Sequence, residues 1–244
     1  MSNDNVLTKR IRQILLWNIL AVVLLVSQYY TYRQGFWFNI DAAIFHFFNQ
    51  FLDGSHQIFL YLIAITNHRS FDIVSFLAMA LLYYTYFRQQ NNECKRKMII
   101  IGLMMLIIAV VIKQWGRFIP IAHESPTLYF EQFEHINRIS KLTHFGTKDA
   151  ASDSFPGDHG MMLMIFAAFM WRYFGVKAFI QASIIVVIFS APRIIAGAHW
   201  FTDVYVGSLA ITSFVLSWFL LTPACDTIVN LLLRLMPKRF FKSP

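Results

Sequence analysis

Long apolar stretches separated by shorter polar stretches dominate this sequence. Because a helix needs roughly 20 mainly apolar residues to cross the hydrocarbon core of a bilayer, the pattern predicts six membrane spans. Their approximate ranges are 13–31, 72–87, 98–116, 159–174, 178–195 and 199–221. The second and fourth ranges are short, so those helices must tilt or carry polar ends.

The stretch 36–66 is aromatic and apolar, but polar residues interrupt it. These are Asp41, His46, Asn49, Asp53 and His56. Such a segment lies in the membrane interface or re-enters the bilayer, and a hidden pair of extra spans is the competing interpretation. The expected fold is therefore an all-α polytopic membrane protein, with one domain over residues 1–244 built on a bundle of six transmembrane helices.

The composition supports a membrane protein. Hydrophobic residues make up 57% of the 244 residues and charged residues only 14%, whereas a soluble domain carries about 25% charged residues. The net charge of +8 then indicates basic loops beside anionic lipid headgroups. No sequence motif for binding RNA or DNA is present, so membrane lipids are expected partners and nucleic acid is not.

The basic residues predict how the bundle is oriented. With the N-terminus in the cytoplasm, most of the 21 Lys and Arg residues fall on the cytoplasmic side, as the positive-inside rule requires. The C-terminal tail contributes Lys238, Arg239 and Lys242 to that side. Both termini are then cytoplasmic, and the longest polar segment, loop 117–158, faces outward.

The sequence APRIIAGAHWFTD places three ionisable residues between two apolar runs. Arg193 ends the fifth predicted span, and His199 and Asp203 begin the sixth. Because positions i and i+4 share a helix face, Asp203 is able to hold one imidazole nitrogen of His199 and leave the other free to attack. Arg193 offers a fork-shaped donor suited to phosphate, and Gly197 lets the backbone approach a ligand.

A second polar sequence, SDSFPGDHG, leads into the fourth predicted span. Pro156 and Gly157 mark a turn, and Asp158 and His159 follow in the first helical turn. On a six-span topology, His159 lies at the same outer face as His199. Two histidines among several cations suit phosphoryl transfer through a phosphohistidine: one imidazole attacks phosphorus, the other protonates the leaving oxygen, and the cations hold the equatorial oxygens.

Each of these residues also has an ordinary structural interpretation. An isolated histidine at a helix end is more often a packing or interfacial residue, and Arg193 alone is able to snorkel to the headgroups. The joint pattern favours function, because ionisable groups within membrane spans are costly and are usually retained for a role.

These motifs resemble the signatures of the type-2 phosphatidic acid phosphatases, a superfamily shared with acid phosphatases and vanadium haloperoxidases. The spacing of Arg193, His199 and Asp203 matches the third signature, with Pro192 in place of its usual serine. The sequence PGDH, which ends at His159, stands where the second signature reads Pro-Ser-Gly-His.

The first signature, Lys-x6-Arg-Pro, is degenerate here. Lys113 and Arg117 occupy its region, Pro120 stands seven residues after Lys113, and both basic residues remain candidates for holding phosphate. Longer matches narrow the resemblance to the lipid A 1-diphosphate synthase branch of the superfamily, over nearly the whole chain. They are NHRSFD, SPTL, TKDAASDSFPGDHGMM, FMWRYFG and GAHWFTD.

The resemblance implies a phosphotransferase of the bacterial inner membrane with its active site in the periplasm and no metal or other cofactor. Undecaprenyl pyrophosphate is the implied donor and the 1-phosphate of lipid A the implied acceptor. By the same resemblance His199 is the nucleophile, Asp203 fixes its tautomer, and His159 protonates the departing undecaprenyl phosphate. Arg193, with Lys113 or Arg117, neutralises the transferring group.

Three further residues, Arg69, Gly157 and Asp158, are candidate substrate contacts. Asp158 either tunes proton transfer by His159 and disfavours water as the acceptor, or simply stabilises the start of a helix. Arg69 and Asp72 either bind headgroups or pair with each other at i and i+3.

The sequence leaves two rival functions open. A phosphatase would use the same residues and pass the phosphate to water. A transporter or lipid-binding protein would need polar groups through the bilayer depth, whereas the charges here gather near one membrane face.

Overall fold

The computed structural model describes residues 3–31 and 33–235, so Lys238, Arg239 and Lys242 lie outside the described residues. Within them the chain is helical, and the extended pairing is limited to an isolated bridge between His68 and Thr147. The expectation of an all-α fold is confirmed.

Ten α-helices follow one another in the described part of the chain. They are α1 (Asn3–Thr31), α2 (Phe36–Asn49), α3 (Gln57–Thr66), α4 (Phe71–Phe87), α5 (Asn92–Gly116), α6 (Pro126–Phe130), α7 (Ile139–Thr143), α8 (Asp158–Ile195), α9 (Leu209–Leu221) and α10 (Ala224–Leu235). A 3₁₀ turn, Gly54–His56, precedes α3, and a π-helical segment, Asp203–Ser208, runs directly into α9. The sequence pattern did not predict α10.

Among the described residues, four helical segments are long and apolar enough to cross a membrane. They are Asn5–Thr31, Asn92–Gly116, Asp158–Ile195 and Asp203–Leu221. Helix α4 is apolar but has only 17 residues, which agrees with the short second range in the sequence pattern.

Helix α8 contains a break at Gly175, where φ is 83° and ψ is −171°, a conformation that residues with a Cβ rarely adopt. Near its two ends, His159 and Arg193 lie 3.8 Å and 2.5 Å from the same carboxylate oxygen of Asp72. A straight helix would separate these residues by about 50 Å. The chain therefore doubles back at Gly175, and its two halves match the fourth and fifth predicted ranges.

The segment 36–66 forms two short helices beside the end of this bundle. Helices α2 and α3 have 14 and 10 residues, fewer than the roughly 20 that a span needs, so a hidden pair of extra spans does not fit their lengths. Buried Asp41 of α2 accepts hydrogen bonds from the backbone N–H and the hydroxyl of Thr202. The segment thus contacts the turn that carries His199.

Loop 117–158 is a packed layer that includes α6 and α7. Ser125 and Ala151 hold its two arms together, because the Ser125 N–H donates to the Ala151 carbonyl at 2.9 Å and the Ala151 N–H donates to the Ser125 hydroxyl at 3.0 Å. Fully buried Ile139 of α7 packs against an apolar cluster that includes Leu52 and Ile63. The loop is therefore tied to the bundle rather than freely solvated.

Gly197 has a role that differs from the one the sequence suggested. Its φ is 75°, and a Cβ there would lie 2.3 Å from the Thr127 hydroxyl oxygen and 2.7 Å from a ring carbon of Phe45. Only glycine fits a positive φ at such close range. Gly197 therefore packs the turn before His199 against α2 and α6, and it does not open the backbone to a ligand.

Candidate functional site

His199 lies in the turn between α8 and the π-helical segment. Its Nδ1 is 2.8 Å from the backbone carbonyl oxygen of Ser154. An Nδ1–H that donates to this carbonyl leaves Nε2 as the unprotonated, nucleophilic nitrogen. The nearer carboxylate oxygen of Asp203 is 3.8 Å from Nδ1, which is too long for a hydrogen bond. The hydrogen bond that orients the His199 imidazole is thus the one to the Ser154 carbonyl. Asp203 interacts with the imidazole electrostatically, from 3.8 Å.

Asp203 is completely buried. One carboxylate oxygen accepts a hydrogen bond from the Trp200 N–H at 3.0 Å, and the other lies 3.0 Å from Nε2 of His123. A buried carboxylate needs partners of this kind, because an unpaired buried charge is strongly destabilising. Asp203 therefore stands between two imidazoles, those of His199 and His123.

His123 also contacts Ser154, the residue whose carbonyl lies beside Nδ1 of His199. Its backbone carbonyl accepts hydrogen bonds from the N–H and the hydroxyl of Ser154, at 2.9 Å and 3.2 Å. Its ring stacks on Trp200, with ring centroids 5.9 Å apart. Nothing in the local spacing of His123 connects it with Asp203, so the sequence pattern did not identify it as a site residue.

Arg193 is 5% exposed and binds the beginning of α4. Its guanidinium donates to the Asp72 carboxylate at 2.5 Å and to the Asn67 carbonyl at 3.3 Å. The Asn67 side chain donates to the carbonyl of Pro192 at 2.7 Å. Asn67 thus binds both the Arg193 guanidinium and the backbone carbonyl of Pro192, the residue that stands where the third signature has serine.

Asp72 lies at the centre of a cluster of basic side chains. Besides Arg193, it contacts Nζ of Lys148 at 3.4 Å and Nδ1 of His159 at 3.8 Å. Arg69 is exposed, and in the described residues its side chain has no ion-pair partner. The i, i+3 pairing of Arg69 with Asp72 is therefore not formed, because Asp72 turns to residues that are distant in sequence.

Lys113 contacts the beginning of α8. Its Nζ lies 2.7 Å from the Asp158 carboxylate, and both side chains are almost half exposed. Arg117 follows the end of α5, is exposed, and makes no ion pair with the described residues. Of the two basic candidates from the first signature, Lys113 is the one that the fold brings to the beginning of α8.

Gly157 lets the beginning of α8 pack against the π-helical segment. Its N–H donates to the Asp203 carbonyl at 3.3 Å, and its carbonyl accepts from the Ser208 hydroxyl at 3.0 Å. A Cβ at Gly157 would lie 3.0 Å from a methyl carbon of Val204. This close approach places the beginning of α8, which carries His159, beside the π-helical segment that follows His199. A direct contact between Gly157 and substrate stays a prediction.

Asp41 supports the same turn from α2. Burial raises the pKa of Asp41 to about 7, although the hydrogen bonds from Thr202 lower it. Thr202 lies between His199 and Asp203 in sequence, so the carboxyl of Asp41 fixes the backbone that carries both.

No group of three or more His, Cys, Asp and Glu side chains among the described residues is arranged to hold a metal ion.

Comparison with known proteins gives two matches. A family model described as PAP2 superfamily matches residues 120–225, a range that includes His123, His159, Arg193, His199 and Asp203. The lipid A 1-diphosphate synthase of Escherichia coli (strain K12) is 49% identical over 230 residues, which cover 94% of this chain and 95% of that protein. No solved structure matches the chain.

Proposed function

Because this chain belongs to the PAP2 superfamily, and within it to the family of the E. coli lipid A 1-diphosphate synthase, we propose that it phosphorylates lipid A. The donor is undecaprenyl pyrophosphate, and its terminal phosphate passes to the 1-phosphate of lipid A. The products are lipid A 1-diphosphate and undecaprenyl phosphate. The observation that carries this proposal is geometric: His159 and Arg193 lie beside one carboxylate oxygen of Asp72, and the N–H of Gly157, two residues before His159, donates to the carbonyl of Asp203, four residues after His199.

In the first half of the reaction, Nε2 of His199 attacks the terminal phosphorus. A nitrogen–phosphorus bond forms as the bond between phosphorus and the bridging oxygen breaks, and His159 gives its proton to the departing undecaprenyl phosphate. The Ser154 carbonyl holds the Nδ1–H during the attack. Buried Asp203 stabilises the positive charge that develops on the imidazole.

In the second half, an oxygen of the lipid A 1-phosphate attacks the phosphohistidine. His159 takes the proton of the monoprotonated acceptor phosphate, which restores the acid for the next turnover, and the nitrogen–phosphorus bond breaks. Cationic side chains neutralise the transferring phosphoryl group throughout, as fixed charges do in other phosphoryl transfers. Arg193 and Lys113 are the cations that the sequence motifs suggested, and Lys148 joins them because it lies beside Asp72.

We further propose that the bundle crosses the bilayer six times, with both termini in the cytoplasm and the site in the periplasm. The crossings are α1, α4, α5, the two halves of α8, and the π-helical segment with α9. The distribution of basic residues supports this orientation. At the opposite end of the bundle from the site, Arg172 pairs with Asp226 at 2.9 Å.

A single assay tests the transfer. Purified protein in phospholipid vesicles receives undecaprenyl pyrophosphate labelled on its terminal phosphate, together with lipid A. We expect labelled lipid A whose mass has increased by one phosphate, in amounts that depend on both lipids. Release of inorganic phosphate with no labelled lipid A would instead show a phosphatase that uses water as the acceptor.

The substitution Asp158→Asn tests whether Asp158 affects the reaction or only stabilises the beginning of α8. The substitution removes the partner of Lys113, and a half-exposed ion pair is worth at most about 1 kcal/mol. We expect the KM for undecaprenyl pyrophosphate to fall by up to about fivefold, because Lys113 becomes available to the phosphate, and the fraction of phosphate lost to water to rise.

The matched control for this substitution is Asp226→Asn. It breaks the ion pair with Arg172, which is similarly exposed but lies far from the site. Unchanged KM and unchanged partition in Asp158→Asn would leave Asp158 with the structural role of an acid in the first turn of a helix.

A further inference from the structure

An apolar groove of about 230 Å³ opens between α4, α5 and the first half of α8. Residues from all three helices line it. They include Phe76, Tyr83, Gly102, Ala109, Met162 and Phe166. Helices α5 and α8 are apolar enough to cross a membrane, so the groove lies at the depth of the lipid chains.

The groove runs directly beneath the ionisable cluster. On each helix, the groove residue nearest the site is separated by four positions, one helical turn, from a charged residue of the cluster. These pairs are Phe76 and Asp72 on α4, Ala109 and Lys113 on α5, and Met162 and Asp158 on α8. Positions four apart share a helix face, and four residues of helix rise by about 6 Å. Apolar walls therefore begin one turn below the charges on three sides.

We propose that this groove binds the first part of the polyprenyl chain of the donor lipid while its pyrophosphate lies in the site above. The inference rests on the proposed function. In a polyprenyl pyrophosphate the chain is bonded directly to the diphosphate, so its first carbons lie where the apolar walls begin. Along α5 the lining runs from Gly102 to Ala109, about 10 Å by helix rise. The groove's volume of about 230 Å³ is too small for the several acyl chains of lipid A.

The groove contributes selectivity more than affinity. A chain that enters the groove comes from bilayer hydrocarbon and not from water, so it gains little hydrophobic free energy. Its binding then depends on van der Waals contacts with the groove walls. Filling the groove should therefore disfavour long-chain donors in particular, while a five-carbon donor, whose chain ends near the top of the groove, should be affected much less.

The test uses two groove-filling variants, Ala109→Phe and Gly102→Leu. Gly102 lies about 16 Å below Lys113 along α5, and leucine there raises helix propensity. Gly102→Leu should therefore leave the geometry of the site and the stability of α5 intact. The control is Val110→Phe, which places the same side chain at a neighbouring position that is 62% exposed on the lipid-facing surface. Undecaprenyl pyrophosphate is compared with dimethylallyl pyrophosphate, and cleavage of each donor is measured with and without lipid A.

We expect both groove variants to lower kcat/KM for undecaprenyl pyrophosphate about tenfold, with dimethylallyl pyrophosphate changed less than about twofold and Val110→Phe close to wild type for both. Equal losses with the two donors, or no loss with the long one, would overturn the proposal. A raised KM for lipid A alone would assign the groove to the acceptor and also overturn it. Donor cleavage to undecaprenyl phosphate is scored separately from lipid A phosphorylation, so failure of the proposed function stays distinguishable.

Discussion

His199→Ala should reduce phosphate transfer to lipid A by about 10⁴-fold or more, the scale of loss when a covalent nucleophile is removed. The substitution deletes the only atom proposed to bond to phosphorus, whereas a side chain that merely packs would cost far less. Transfer is measured by the mass shift of lipid A. A second measurement incubates the protein with labelled donor alone and looks for base-stable, acid-labile label on the protein, which His199→Ala should not acquire.

His56→Ala is the matched control for His199→Ala. His56 is an exposed histidine at a helix start, paired with Asp53 at 2.8 Å, and it takes no part in the proposed site. It should retain wild-type transfer and labelling. If His199→Ala kept activity within tenfold of the wild type, the phosphohistidine mechanism would be excluded.

Arg193→Lys should lower kcat about 10²-fold, in the range found when one donor to a developing oxyanion is removed. Lysine keeps the positive charge but lacks the planar fork. Its shorter side chain carries one nitrogen where Arg193 uses two, Nη2 to Asp72 and Nη1 to Asn67. The KM for the donor should change less than kcat, because the lost interaction is strongest in the transition state.

Arg172→Lys provides the comparison on the same helix. Arg172 also donates to one carbonyl, that of Leu220, and to one carboxylate, that of Asp226, but at the end of the bundle remote from the site. It should leave kcat within about twofold. Similar kinetic losses in both variants, or a loss of thermal stability in Arg193→Lys that Arg172→Lys does not share, would show that Arg193 acts through the fold and not through the phosphoryl group.

Much of this molecule was predictable from local patterns. Apolar run lengths predicted the long helices, and the break between two short apolar ranges coincides with Gly175. The PGDH sequence and the spacing of Arg193, His199 and Asp203 identified one candidate site. These features are short-range, because helix periodicity and chain spacing depend only on neighbouring residues.

The partners within the site depended on the tertiary structure. His123 approaches Asp203, the Ser154 carbonyl receives the hydrogen bond of His199, and Asp72 turns away from its sequence neighbour Arg69 towards Arg193. None of these pairs has a characteristic sequence spacing, so no periodicity argument finds them.

By itself, then, the sequence determined the all-helical character, the apolar segments and the cluster of ionisable residues at their ends. Only the tertiary structure decided which carboxylate serves which cation, why Gly157 and Gly197 must lack a side chain, and where an apolar groove meets the charges. The physical reason is that helix formation and burial in lipid follow from local composition, whereas side-chain partners follow from how closely distant backbones approach each other.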